Sequence, residues 1–217
     1  EPMPEPGERG EVTVTARAVR WQMDFSDQTT DIRNAIAFMT GEPHVDPERI
    51  GILGTSYGGG LTIWTAAHDP RVKCAAAQVP GMGGQRGQAF YDRGYAMMAR
   101  QARGEIEPVP FKQGGPSGKM SAYAHMRYNT AKDVPFSVME AARRVKVPLL
   151  VIDGGKEELM DIRENGGRVA EIVKANGTPV QYHVFADMSH YGVYGQYQRA
   201  AFDLELAWFD THLKPSR

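Results

Sequence analysis

Apolar positions recur along this 217-residue chain at two spacings, and the spacing switches several times from one segment to the next. Behind Ser26 or Asp27 as a cap, Ile32, Ala35, Ile36 and Met39 follow a helical period, and Gly41 with Pro43 ends that helix. The turn Val45-Asp46-Pro47-Glu48-Arg49 then launches the short apolar run Ile50-Gly51-Ile52-Leu53, which reads as a strand, and Gly58 to Ala67 continues as a helix. Asp69-Pro70 breaks the chain before a second buried strand, Val72 to Val79, which stops at Pro80-Gly81. Val147 to Asp153 and Val180 to Phe185 give two more strands, with helices expected over 161–175 and 196–213. Strands alternating with helices imply an α/β fold, a mostly parallel sheet with helices on both faces.

Residues 81–142 interrupt this rhythm with glycines, prolines, Met97, Met98, Met120, Met126 and Met139, and the aromatics Phe90, Tyr91, Tyr95, Tyr123 and Tyr128. The stretch is too long for a simple connection. It leaves from the C-terminal end of a strand, the edge at which such sheets bind ligands, so a helical cap over a pocket is expected, with a helical excursion packing its own small core as the alternative. The organisation expected is an extended N-terminal segment over 1–30, a core over 31–80 and 143–217, and a cap insertion over 81–142. Met82, Tyr91, Met97 and, from a later loop, Tyr191 are the substrate-pocket candidates.

Composition narrows the function. Hydrophobic residues at 41% suffice for a core, and 25 Lys+Arg against 26 Asp+Glu leave a formal charge of -1, which provides no global field for nucleic acid or an anionic membrane. No apolar stretch is long enough to span a bilayer, so the chain reads as soluble, and its compartment is left undecided with the cytoplasm slightly favoured. Cys74 is the single cysteine, set in an apolar run where a buried, inert thiol is expected.

The chemistry concentrates at Gly54-Thr55-Ser56-Tyr57-Gly58, one serine between two glycines where a strand feeds a helix. So sharp a turn strains its central residue and lifts the hydroxyl clear of the backbone, which suits a nucleophile. The N–H of Tyr57 then lies at a helix N-terminus, where an oxyanion would form. A serine hydroxyl needs a base, usually histidine, and the base needs an orienting carboxylate. On this kind of sheet the order is serine, acid, histidine. His190, in the loop behind the last strand, fits that order. His44 and His68 come too early, His125 lies in the insertion, His183 is mid-strand and His212 sits near the end of the final helix. The acid is expected from the loop after Asp153, where Glu157 is preferred, Glu158 comes next, and Asp161 is expected to cap the following helix. No His and carboxylate cluster has metal-ligand spacing, and no cofactor is called for.

Together these residues resemble the α/β-hydrolase superfamily, particularly its dienelactone-hydrolase-like and peptidase-like esterase branches. The resemblance rests on Val45 to Gly60, on Gly154-Gly155-Lys156-Glu157-Glu158-Leu159, where Glu157 takes the place of the family's usual aspartate, and on Ser189-His190-Tyr191-Gly192. It implies the C-terminal part of an α/β-hydrolase and a serine-dependent carboxylic ester hydrolase, acting on a small-molecule ester, lactone or thioester through an acyl-enzyme. Peptidase, amidase or acyltransferase chemistry on the same residues is the alternative, and a non-enzymatic binding module is the least favoured reading. Family members carry several strands, and a loop giving a second oxyanion N–H, ahead of the helix that precedes the serine turn. Glu11 to Val19 would supply one strand here, so a companion chain carrying the upstream half of the fold is expected.

Overall fold

The alternation of apolar side chains along the buried strands shows why this chain folds in layers. In β3 (Val72–Gln78) Ala75 and Ala77 face one hydrophobic cluster while Ala76 faces another, and in β6 (Leu149–Gly154) Leu149 and Val151 part from Leu150 and Ile152 in the same way. Successive side chains of a strand point to opposite faces, so a strand apolar throughout needs cover on both. The first cluster gathers α1 (Phe25–Thr40), α2 (Tyr57–His68), α4 (Val138–Ala142) and α5 (Gly166–Ala175); the second is closed by Met188, Val193 and Ala201 of α6 (Gln198–Leu213). Fully buried side chains such as Ile63, Leu149 and Ile152 each contribute roughly 1.5–3 kcal/mol of burial free energy.

The structure is a computed structural model that describes residues 4–15, 22–23, 25–81, 87–106, 109–110, 127–128 and 134–214. Its main sheet is parallel, in the order β2-β3-β6-β7, with β2 at Ile50–Thr55 and β7 at Val180–Phe185. The register pairs Thr55 with Gln78, Gln78 with Ile152 and Gly154 with Phe185, which brings the C-terminal ends of all four strands to one edge. Short pieces form a second sheet, in which β5 (Arg127–Tyr128) lies between β1 (Gln22–Met23) and β4 (Val109–Pro110). Helix α3 (Gln88–Ala102) follows β3 and precedes β4 in sequence.

Several boundaries differ from those expected. Helix α1 begins at Phe25, inside the segment expected to be extended, because Phe25 stacks on Phe136 with ring centroids 4.2 Å apart and anchors the first turn. The core resumes at Val134, ahead of residue 143: Val134, Val138, Met139, Ala141 and Ala142 are buried, with Val138, Met139 and Ala142 in the cluster that holds α2. A five-residue helix is too short to show a period, which is why the sequence assigned it to the insertion. Helix α5 starts at Gly166, so Asp161 caps a turn instead, accepting the Arg163 N–H at 2.9 Å and pairing with its guanidinium. Residues 11–15 are not in a strand, and 16–19 lie outside the described residues.

Cys74 is fully buried, and burial pushes its thiol up to about 12. Among the described residues β2 pairs only with β3, and its Leu53 is 54% exposed.

Candidate active site

At the end of β2 the chain turns into α2 through Ser56, whose φ of 55° and ψ of -121° are forbidden to most side chains. Close packing imposes the turn. A Cβ on Gly54 would overlap the Gly58 carbonyl, and one on Gly60 would overlap the carbonyl oxygen of Gly81. Around Gly58 itself there is open space, so the second glycine of the motif answers no steric demand. The Ser56 carbonyl is held by the N–H groups of Gly59 at 2.9 Å and Gly81 at 2.8 Å, which fixes the following peptide and its Tyr57 nitrogen at the start of α2.

The serine hydroxyl meets His190 Nε2 at 2.9 Å, and on the other side of the ring Nδ1 meets Glu157 Oε2 at 2.8 Å. An ionised carboxylate only accepts, so Nδ1 carries the proton and Nε2 presents its lone pair to the serine hydroxyl. Both the histidine and the glutamate side chains are 2% exposed. The second oxygen of Glu157 accepts the N–H of Leu159 at 2.9 Å, so the carboxylate is fixed from both ends.

Glu158, the alternative acid, is used differently: its Oε2 accepts the main-chain N–H of His190 at 2.8 Å. Asp153, at the end of β6, is 1% exposed, and its Oδ2 has no hydrogen-bond partner among the described residues. Burial pushes its carboxyl up to about 7; Glu157 adds to that shift, while hydrogen bonding from Tyr182 and the nearness of His190 oppose it.

The pocket candidates separate. Tyr191 is 41% exposed and lies edge-on to the His190 ring, centroids 5.2 Å apart. Tyr91 instead lines a cavity of about 330 Å³ with Trp64, His68, Tyr95 and Arg144, none of them in the Ser56–His190–Glu157 chain. Met97 is half-buried on α3 and does not line that cavity, and Met82 lies outside the described residues. Among the described residues no group of His, Cys, Asp and Glu is placed to hold a metal, and no helix is long and apolar enough to cross a membrane.

The sequence model of the prolyl oligopeptidase family matches residues 21–216. The chain belongs to that family. Like other prolyl oligopeptidase family members it is a serine hydrolase of the α/β type. An uncharacterized 31.7 kDa protein in the traX-finO intergenic region of Escherichia coli is 27% identical, over 86% of this chain and 73% of its own length. Among solved structures, the α/β hydrolase GrgF from Penicillium sp. sh18 superposes with a TM-score of 0.69 at 15% identity, covering 89% of this chain and 74% of that one. The acylaminoacyl peptidase of Pyrococcus horikoshii superposes with a TM-score of 0.59 at 21% identity, covering 87% of this chain and 28% of its own. At such identities the structural likeness is one of fold.

Proposed function

We propose that this prolyl oligopeptidase family member hydrolyses carboxylic esters through an acyl-enzyme, with Ser56 as nucleophile, His190 as base and Glu157 as the orienting acid. The observation that carries the reading is the continuous chain of hydrogen bonds from Ser56 Oγ through His190 to Glu157. As Ser56 Oγ bonds to the substrate carbonyl carbon, its proton passes to His190 Nε2, and Glu157 stabilises the charged ring. The Tyr57 N–H, at the start of α2, takes the developing oxyanion. Collapse expels the alcohol, which leaves with the proton from His190. Water then repeats the sequence on the acyl-enzyme and releases the acid. Burial of the His190–Glu157 pair keeps competing water away from the proton path.

Amide cleavage is the second reading, favoured by the family itself, because the same steps expel an amine. Kinetics on matched p-nitrophenyl esters and p-nitroanilides separate the two. Ester turnover with no Ser56-dependent turnover of the anilides supports the first reading, and Ser56-dependent turnover of the anilides replaces it with the second. Ser56→Ala abolishes labelling by an alkyl fluorophosphonate under either reading; persistent labelling removes Ser56 as the nucleophile.

We further infer that another strand pairs with the edge of β2 that has no partner among the described residues, and carries a second N–H to the oxyanion; a companion chain is one source of it. The pairing of β2 with β3 alone among the described residues, and the exposure of Leu53 on β2, support this. Native mass spectrometry of the active protein then finds a further polypeptide segment beyond these 217 residues, and full activity from these residues alone overturns it.

A further inference from the structure

Ser56 is not the only residue beside this turn held in a conformation that side chains avoid. Val79, immediately after β3, has φ of 37°, and for a β-branched residue that is costly unless the surroundings enforce it. The two strained residues flank Gln78. The main-chain oxygen of Gln78 accepts the Ser56 N–H at 2.8 Å, and its side-chain Oε1 accepts the Thr55 hydroxyl at 2.8 Å. Its Nε2 donates to Glu205 Oε1 at 2.5 Å. A carboxylate oxygen and a hydroxyl donor on opposite sides leave the amide one orientation. The N–H of Val79 in turn binds the Ile152 carbonyl at 2.6 Å, tying the junction into β6.

Glu205 lies on α6, across the sheet from α2, yet it is only 4% exposed. A carboxyl at such a place is costly to bury and is retained only with a partner. Its partner is the residue that holds both Thr55 and Ser56. We infer that Glu205 is a positioning residue for the nucleophile: through Gln78 it locks the Thr55–Ser56 turn from the far face of the sheet, so that the serine hydroxyl stays in line with His190. Burial raises the Glu205 carboxyl above its usual range, and a glutamine at this position keeps an oxygen that accepts from Gln78 Nε2. The inference rests on Ser56 being the nucleophile.

The test compares Glu205→Leu, Glu205→Gln and Trp208→Phe in fluorophosphonate labelling rate, kcat, KM and Tm. Trp208 supplies the control because its Nε1 donates to the Ala75 carbonyl at 3.2 Å from the same helix and makes no hydrogen bond to Gln78. Glu205→Leu slows labelling and lowers kcat by roughly 10- to 100-fold with KM little changed, as expected when a reacting group is misplaced by a fraction of an ångström to an ångström. Glu205→Gln restores most of the rate, and Trp208→Phe lowers Tm while labelling at the parent rate. Parent-like labelling by Glu205→Leu overturns the inference, as does equal slowing in Trp208→Phe. Should Glu205→Leu not fold, Thr55→Val cuts the same chain at its other end; slowed labelling at parent Tm supports the lock and an unchanged rate overturns it. If the parent protein itself is not labelled at Ser56, the failure lies with the nucleophile assignment.

Discussion

Glu158 holds the main chain of His190 while its neighbour Glu157 holds the ring, so two consecutive carboxylates grip one histidine at different points. The two bonds ask different things of the side chain. Glu157 must stay negative to stabilise a charged imidazole, whereas Glu158 has only to accept one N–H. Glu157→Gln therefore lowers kcat by several orders of magnitude, roughly the 10⁴-fold cost of a wrong histidine tautomer. Glu158→Gln stays within a few-fold of the parent, and Glu158→Ala falls between them. Steady-state kinetics on the preferred ester check the ranking, and equal losses in Glu157→Gln and Glu158→Gln contradict the division of roles.

The serine turn depends on its glycines unequally. A Cβ at position 54 overlaps the Gly58 carbonyl and also comes within 2.6 Å of the Thr62 hydroxyl, whereas one at position 58 meets nothing within 4 Å. Gly54→Ala should therefore cost several kcal/mol or fail to fold, since it overlaps backbone that cannot retreat. Gly58→Ala, inside the first turn of α2, should hold or raise stability by about 0.4–1 kcal/mol. Thermal denaturation of both variants measures the contrast.

Asp153 predicts how stability varies with pH. Its carboxyl titrates near 7 in the folded protein against an ordinary value of 3.8, so between those limits the folded state holds a proton that the unfolded state has released. Stability then declines as pH rises from about 4 to 7, and above 7 the whole penalty of an ionised, buried Asp153 is present. Asp153→Asn removes that slope. Chemical denaturation between pH 4 and 8 shows a flatter profile for the variant, and parallel profiles contradict the assignment.

Much of the fold was legible because buried parallel strands read as short apolar runs: Ile50 to Leu53, Val72 to Val79, Val147 to Asp153 and Val180 to Phe185 all lie in or overlap observed strands. The serine, the histidine and a choice between two glutamates were legible because chain order on such a sheet constrains them. Glu157 is preferred there over Glu158, although adjacent residues share a loop and only the path of the backbone decides which reaches the ring. Tyr91 read as a pocket residue from its chemistry, but the direction of α3 carries it to a cavity beside the far half of α2. Gln78 and Glu205 were not singled out. A glutamine at the end of Val72-Lys73-Cys74-Ala75-Ala76-Ala77 and a glutamate on a helix are ordinary alone, and they acquire meaning only when the fold joins positions 127 residues apart.

The buried thiol of Cys74 turns this chain into its own stability gauge. With one cysteine in the whole sequence, fully enclosed in β3 and its thiol pushed up to about 12 by burial, the folded protein should be silent to thiol reagents. Each modified molecule therefore records one opening of the strand that carries Gln78. The rate of that reaction, set beside the rate of serine labelling, distinguishes loosening of the central sheet from loosening of the site it supports.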